Sequence, residues 1–186
     1  MTVSEIKLGV IADTHIPDKA KTLNPQVLPI LQQAGVSAIL HAGDISSPRV
    51  LAKFEEIAPV YAVLGNRDWY LLRSLPLHRT LNFNGVTIGL THGHGGLRNY
   101  LVGKLYYIAE GYRLDRFKPR LLETFPTAQV IVFGHTHRPI NRWINGKLFF
   151  NPGSTCYTDK RDLAPSMGLL TIRPGGQISG EILSLE

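Results

Sequence analysis

Apolar residues along this chain fall into short runs divided by glycine and polar positions. Five of them, Leu8 to Ala12, Ala38 to Leu40, Val60 to Leu64, Val86 to Leu90 and Val130 to Phe133, predict strands. Between the first two, Leu23, Val27, Leu28, Ile30 and Leu31 are followed by Gly35, which predicts a helix over Thr22 to Ala34 with Pro29 as a kink. Ser47-Pro48 ahead of Val50, Leu51, Phe54 and Ile57 predicts a second helix, with a serine cap and proline at its first position, ending before Pro59. The first half therefore reads βαβαβ.

The second half changes period. Asn84-Gly85, between Leu81 to Phe83 and Val86 to Leu90, has the dipeptide of a two-residue hairpin with positive φ, so some strands run antiparallel. Asn145-Gly146 repeats the device between Trp143-Ile144 and Leu148 to Phe150, and the tail alternates loosely over Gly168 to Ile172 and Ile178 to Leu185. Leu97 to Phe125 carries Leu97, Tyr100, Leu101, Leu105 and Ile108 at helical spacing and then a more basic stretch, which predicts two helices broken near Gly111. A parallel half, intervening helices and a strand-rich half predict an α/β sandwich of two packed sheets covered by helices.

Composition narrows the class. The 186 residues, 44% hydrophobic and 18% charged, suit one globular domain over 1–186, with no linker, low-complexity tract or repeat. A single cysteine, Cys156, makes no internal disulfide, and the apolar stretch Leu8 to Ala12 is too short for a signal-peptide core or a membrane span. The expected setting is cytoplasmic, without a membrane. A formal charge of +6 favours anionic substrates. The densest basic patch, Arg113, Arg116, Lys118 and Arg120, permits nucleic acid without indicating it.

The polar residues just beyond the strands carry the chemistry. They are Asp13-Thr14-His15, Gly43-Asp44, Gly65-Asn66-Arg67-Asp68, His92-Gly93-His94 and Gly134-His135-Thr136-His137. Ligands in α/β sheets bind beyond strand C-termini, so these groups converge on one rim. Asp13, His15, Asp44, Asn66, His92, His135 and His137 supply enough donors for two metal ions if Asp44 bridges. A metal pair at that rim points to phosphate ester hydrolysis. Mixed imidazole and carboxylate donors favour Mn²⁺, with Fe, Zn²⁺ or Ni²⁺ as alternatives, over Mg²⁺ or Ca²⁺.

With Asn151-Pro152-Gly153-Ser154 added, this ordered set resembles the calcineurin-like metallophosphoesterase superfamily, and within it the small YfcE-type phosphodiesterases. The resemblance spans most of the chain. It implies a four-layer sandwich of two mixed β-sheets flanked by helices. It also implies that Asp13, His15, Asp44 and His137 hold one metal while Asp44, Asn66, His92 and His135 hold the other. The implied activity is phosphodiester hydrolysis of a small substrate by direct attack of a metal-bridging hydroxide, with a homo-oligomer as a loose family expectation. A nuclease of the same fold and a protein-binding scaffold with a weak site are the alternatives.

One position departs from the family. Many members carry histidine after the asparagine, where this chain has Arg67. A guanidinium binds phosphate oxygens but does not act as a general acid at physiological pH, so leaving-group protonation passes to His94 or water. Good leaving groups should be preferred. Asp68 is expected to orient Arg67 by a charge-assisted bond, His41 to support the ligands from behind, and His78 to be an ordinary surface or core histidine. The Thr91 to Gly96 stretch lacks the Walker lysine and the dinucleotide glycine spacing, and Tyr100, Tyr106, Tyr107, Tyr112 and Phe117 read as packing aromatics.

Overall fold

The computed structural model describes residues 4–68, 72–95, 113–156 and 163–185. The chain threads β1 (Ile6–Ile11), α1 (Val27–Ala34), β2 (Ala38–His41), α2 (Pro48–Glu55) and β3 (Val60–Ala62) before crossing to β4 (His78–Phe83) and β5 (Val86–Thr91). It continues through α3 (Leu114–Thr124), β6 (Val130–Val132), β7 (Ile140–Ile144) and β8 (Lys147–Asn151), and closes with β9 (Ser166–Ile172) and β10 (Ile178–Ser184). No helix among the described residues is long and apolar enough to cross a membrane.

The strands form two five-stranded mixed sheets, ordered β10-β9-β1-β2-β3 and β4-β5-β6-β8-β7. In the first, β1, β2 and β3 run parallel and β9 returns antiparallel beside β1. In the second, β5, β6 and β8 run parallel with an antiparallel strand at each edge. Alternation sorts each strand's residues between two cores. Leu8 and Val10 of β1 meet Ile88, Leu90, Val132 and Phe150 between the sheets, while Ile11 and Ile39 face outward onto Leu31 of α1 and Phe54 of α2. On the other side Ile131 and Phe149 pack against Leu121 of α3. The layers are therefore helix, sheet, sheet, helix, the four-layer sandwich expected. Each fully buried aliphatic side chain contributes about 1.5–3 kcal/mol.

Local signals explain the element ends. Ser47 caps α2 by accepting a hydrogen bond from Arg49 N at 3.3 Å, with Pro48 at the first helical position. Both hairpins turn at asparagine and glycine with positive φ, 51° and 80° at Asn84-Gly85 and 50° and 74° at Asn145-Gly146. Two expectations need correction. Helix α1 begins at Val27 rather than Thr22, so Pro29 lies in its first turn, where an N–H would have no intrahelical partner. Strand β3 stops at Ala62, two residues short of the apolar run, and Leu64 N instead donates to Pro76 O. The helix expected from Leu97 toward Gly111 lies outside the described residues, whereas its more basic successor is α3.

Candidate metal centre

The parallel strands β1, β2, β3, β5 and β6 all point their C-terminal ends at one rim, and the loop after each carries the donors singled out in the sequence. Asp13, His15, Asp44 and Asn66 follow strands of the first sheet; His92, His135 and His137 follow strands of the second. Backbone conformation is unusual here. Asp13, His15, Asp44, His135 and His137 have φ between 50° and 69°, a left-handed region that residues other than glycine seldom adopt. Such backbone persists only where its surroundings enforce it, and it turns these side chains inward across the seam between the sheets.

The donor atoms lie close together. His15 Nε2 is 3.1 Å from His137 Nε2, a separation at which two imidazoles share a proton or a cation. Asp13 Oδ1 lies 3.8 Å from His15 Nε2 and 3.4 Å from His137 Nε2. Asp44 faces both histidine groups, with Oδ2 3.8 Å from His15 Nε2 and Oδ1 3.5 Å from His92 Nε2. The Asn66 amide is 3.0 Å from His92 Nε2, and the His135 ring sits edge-on to His92 with centroids 5.0 Å apart. All seven predicted donors thus meet at the rim. Asp13, His15 and His137 form one compact triplet, and Asp13, Asp44 and His92 form another.

Other residues hold the donors in place. His92 Nδ1 lies 2.7 Å from Ala42 O, so a proton there is donated to the carbonyl and Nε2 is left to ligate. Asp13 Oδ2 accepts from His135 N at 3.0 Å, and Asp44 Oδ1 accepts from Arg67 N at 2.8 Å. Buried His41 sits behind the rim, its Nε2 3.4 Å from Thr14 Oγ1, which donates to Ile45 O at 3.2 Å. Ser154 and Thr155 donate their hydroxyls to Asp13 O and Ala12 O, while Asn151 Nδ2 donates to Gly134 O. The Asn151 to Ser154 turn therefore clasps the β1 and β6 loops.

The pairing expected between Asp68 and Arg67 does not form. The buried Asp68 carboxylate accepts from Ile45 N, Ser46 N and Gly65 N at 2.8 to 2.9 Å, bracing the loops that carry Asp44 and Asn66. Three backbone donors satisfy it before a guanidinium can. Arg67 instead extends along the surface to Asp18, with Nη1 2.6 Å from Oδ2 and both side chains more than one third exposed. Sequence reading missed Asp18, because 49 positions separate it from Arg67 and only the fold brings them together. His94 is buried beside the donors, its ring centroid 5.3 Å from that of His92, with neither nitrogen hydrogen-bonded.

Electrostatics fit this donor set to cations. Burial raises the Asp13 carboxyl above its usual range, and burial assisted by Asp13 lifts Asp44 to about 8. The same burial holds the His15 and His135 imidazoles near 3 and His92 well below its ordinary value. Buried Asp13 Oδ1 accepts no hydrogen bond. Buried carboxylates whose charge is costly and imidazoles kept neutral make a donor set that suits a cation, since a bound ion offsets the cost of the carboxylate charge.

A stability profile follows. A histidine with a lowered folded pKa costs stability only below its unfolded value of 6.5, whereas Asp44, raised to about 8, costs progressively more as pH climbs toward 8. Between these limits the histidines stay neutral in both states, and the buried carboxylates, Asp44 together with Asp13 and Asp68, set the profile. Urea unfolding of metal-free protein should therefore show roughly 1–2 kcal/mol lost from pH 6.5 to 8, and loading with Mn²⁺ or Zn²⁺ should abolish the loss. A flat metal-free profile would contradict this account of the site.

Comparison with known proteins agrees with the geometry. The model of the calcineurin-like phosphoesterase superfamily domain matches residues 6–175. A probable metallophosphoesterase of Methanothermobacter thermautotrophicus is 35% identical over 177 residues, covering 95% of this chain and 91% of that protein. A phosphodiesterase of Methanocaldococcus jannaschii is 25% identical over 168 residues, covering 81% and 85%. Among solved structures, Vacuolar Protein Sorting 29 from Cryptosporidium parvum superposes with a TM-score of 0.74 at 21% identity, covering 97% of this chain and 99% of that one. Its likeness concerns the fold. By its sequence, its sandwich of two mixed sheets and the donors at their shared rim, the chain belongs to the calcineurin-like phosphoesterase superfamily.

Proposed function

We propose that this protein is a dinuclear metal-dependent phosphodiesterase acting on a small substrate. The observation that carries the reading is the position of Asp44, whose two oxygens face His15 on one side and His92 on the other. Asp13, His15, Asp44 and His137 would hold one ion, and Asp44, Asn66, His92 and His135 the second. Two such ions, once bound, supply Lewis acidity toward phosphate oxygens and acidify water between them.

The chain's own residues set the rest. Arg67, paired with Asp18 and partly exposed, would bind non-bridging phosphate oxygens. Its permanent charge leaves proton delivery to water or to His94, which is buried next to His92. Neither serine nor cysteine is among the donors, which favours direct hydrolysis over a covalent intermediate. The diester preference draws support from the archaeal relative named a phosphodiesterase. The complete donor set favours catalysis over a purely structural role.

The test is turnover of bis(p-nitrophenyl) phosphate and p-nitrophenyl phosphate by metal-stripped protein, with Mn²⁺, Ni²⁺, Zn²⁺ or Mg²⁺ restored. Metal-dependent cleavage with the diester faster is the expected result. Faster monoester cleavage would overturn the diester assignment, and no turnover with any ion would overturn the enzymatic one.

A further inference from the structure

Beside the metal rim lies a second, smaller feature that shares only His94 with the roles above. The start of β4, the loop after β5 and the face of α3 enclose a cleft of about 200 Å³ lined by Leu77, Thr91, His94, Arg120, Leu121 and Thr124, among others. A liquid water occupies about 30 Å³, so the cleft has room for a small substituent. His94 forms its wall toward the metals, with ring centroids 5.3 Å from His92 and 6.4 Å from His135.

Three observations give the cleft a sign. No carboxylate is among its described lining residues. Arg120 is fixed there by donating Nη2 to Gly93 O, and its guanidinium lies against the Cα of Gly95, where a Cβ would collide with it. Its Nη1 and Nε edge is the one that faces Gly95, and no acid pairs with the guanidinium among the described residues. His94, 3% exposed, has two ring nitrogens without hydrogen-bond partners and lines the same cleft. A half-buried guanidinium lacking a counter-ion beside a buried unpartnered imidazole is a built site for an anion.

We propose that this cleft is a specificity subsite for an anionic substituent, a carboxylate or phosphate carried by the substrate beyond the scissile phosphorus, with Arg120 as its recognition residue. The assignment rests on the phosphodiesterase reading for what the substituent is attached to. Substrates would then be small diesters bearing a second negative charge, positioned across His94 with one end at the metals and the other at Arg120. Thr124, exposed on α3 at the cleft's edge and bonded through its hydroxyl to Arg120 O, lies where an added charge would be felt.

Two diesters with the same leaving group test it: p-nitrophenyl phenyl phosphate and p-nitrophenyl 4-carboxyphenyl phosphate. The native protein should favour the carboxylated one in kcat/KM by on the order of tenfold, the worth of one charge-assisted hydrogen bond. Arg120→Gln should collapse that ratio toward one. Thr124→Glu should lower it and Thr124→Lys raise it, which guards against Arg120→Gln acting by releasing Gly93. Turnover of both diesters without preference, or a ratio unmoved by these variants, overturns the subsite while leaving the phosphodiesterase reading intact. If neither diester is cleaved, that reading fails by itself, and phosphorus NMR of inorganic phosphate with metal-free protein decides. Binding weakened at least about fivefold by Arg120→Gln supports the subsite; equal binding refutes it.

Discussion

Asp44→Asn should lower metal-restored hydrolysis of bis(p-nitrophenyl) phosphate by on the order of 10³-fold, and it should make the metal-free protein more stable at pH 8. The two effects have one origin. Asp44 faces both His15 and His92, so an amide in its place removes the negative donor that the two proposed ions would share. Without ions, that same carboxylate is a buried charge with Asp13 close by, and burial has already lifted it to about 8. An amide keeps an oxygen to accept from Arg67 N, the contact that fixes the loop, and carries no charge to desolvate. The gain should be at least about 1 kcal/mol in urea unfolding at pH 8, should shrink as pH falls, and should vanish only near the unfolded carboxyl value of 3.8. A variant that is inactive but less stable than native protein at pH 8 would show that the substitution damages the fold.

Gly65→Ala should be among the most damaging single methyl groups at the described glycines. A Cβ at Gly65 would collide with Asp44 N and Oδ1 and approach Asp44 Cα at 2.8 Å. Two of these atoms are backbone, so rotation of a side chain does not relieve the clash. Gly65 is also tied down, donating its N–H to Asp68 Oδ2 at 2.8 Å. The loops after β2 and β3 must separate, at a cost of about 2–3 kcal/mol. Because they carry Asp44 and Asn66, metal affinity should fall with stability, at least about tenfold by chelator competition. Native affinity in a destabilised variant would mean that the donors do not depend on this close approach.

What was legible in the sequence was local. Asn84-Gly85 and Asn145-Gly146 dictate their hairpins through the φ angles they accept, and Ser47-Pro48 dictates the start of α2. The donors were legible because each follows a strand signal directly, and strand ends in one parallel set share a rim. The start of α1 was misjudged because apolar spacing begins before Pro29 permits a helix to be satisfied. Other features depend on atoms brought together from distant positions. Nothing around Ser166 to Ile172 states that this strand inserts beside β1, separating β10 from it. Likewise Arg67 reads as a residue for the rim or for Asp68, and only the packed loops reveal Asp18 as its partner. Arg120 looks like one more charge on a basic helix until Gly93 O is seen to hold it.

The donors divide four to three between the sheets, so either sheet by itself would carry an incomplete set. Coordination fixes donor positions to within about 0.2 Å, a tighter tolerance than apolar packing imposes. The gap between the layers, however, is filled by Val10, Ile88, Val132 and Phe150, none of them at the rim. Ion preference thus becomes a gauge of layer separation. A swap such as Ile88→Val, deep between the sheets and remote from any phosphate, would retune which first-row ion fits long before it unfolded the chain, giving selection a route to new metal usage that leaves every ligand untouched.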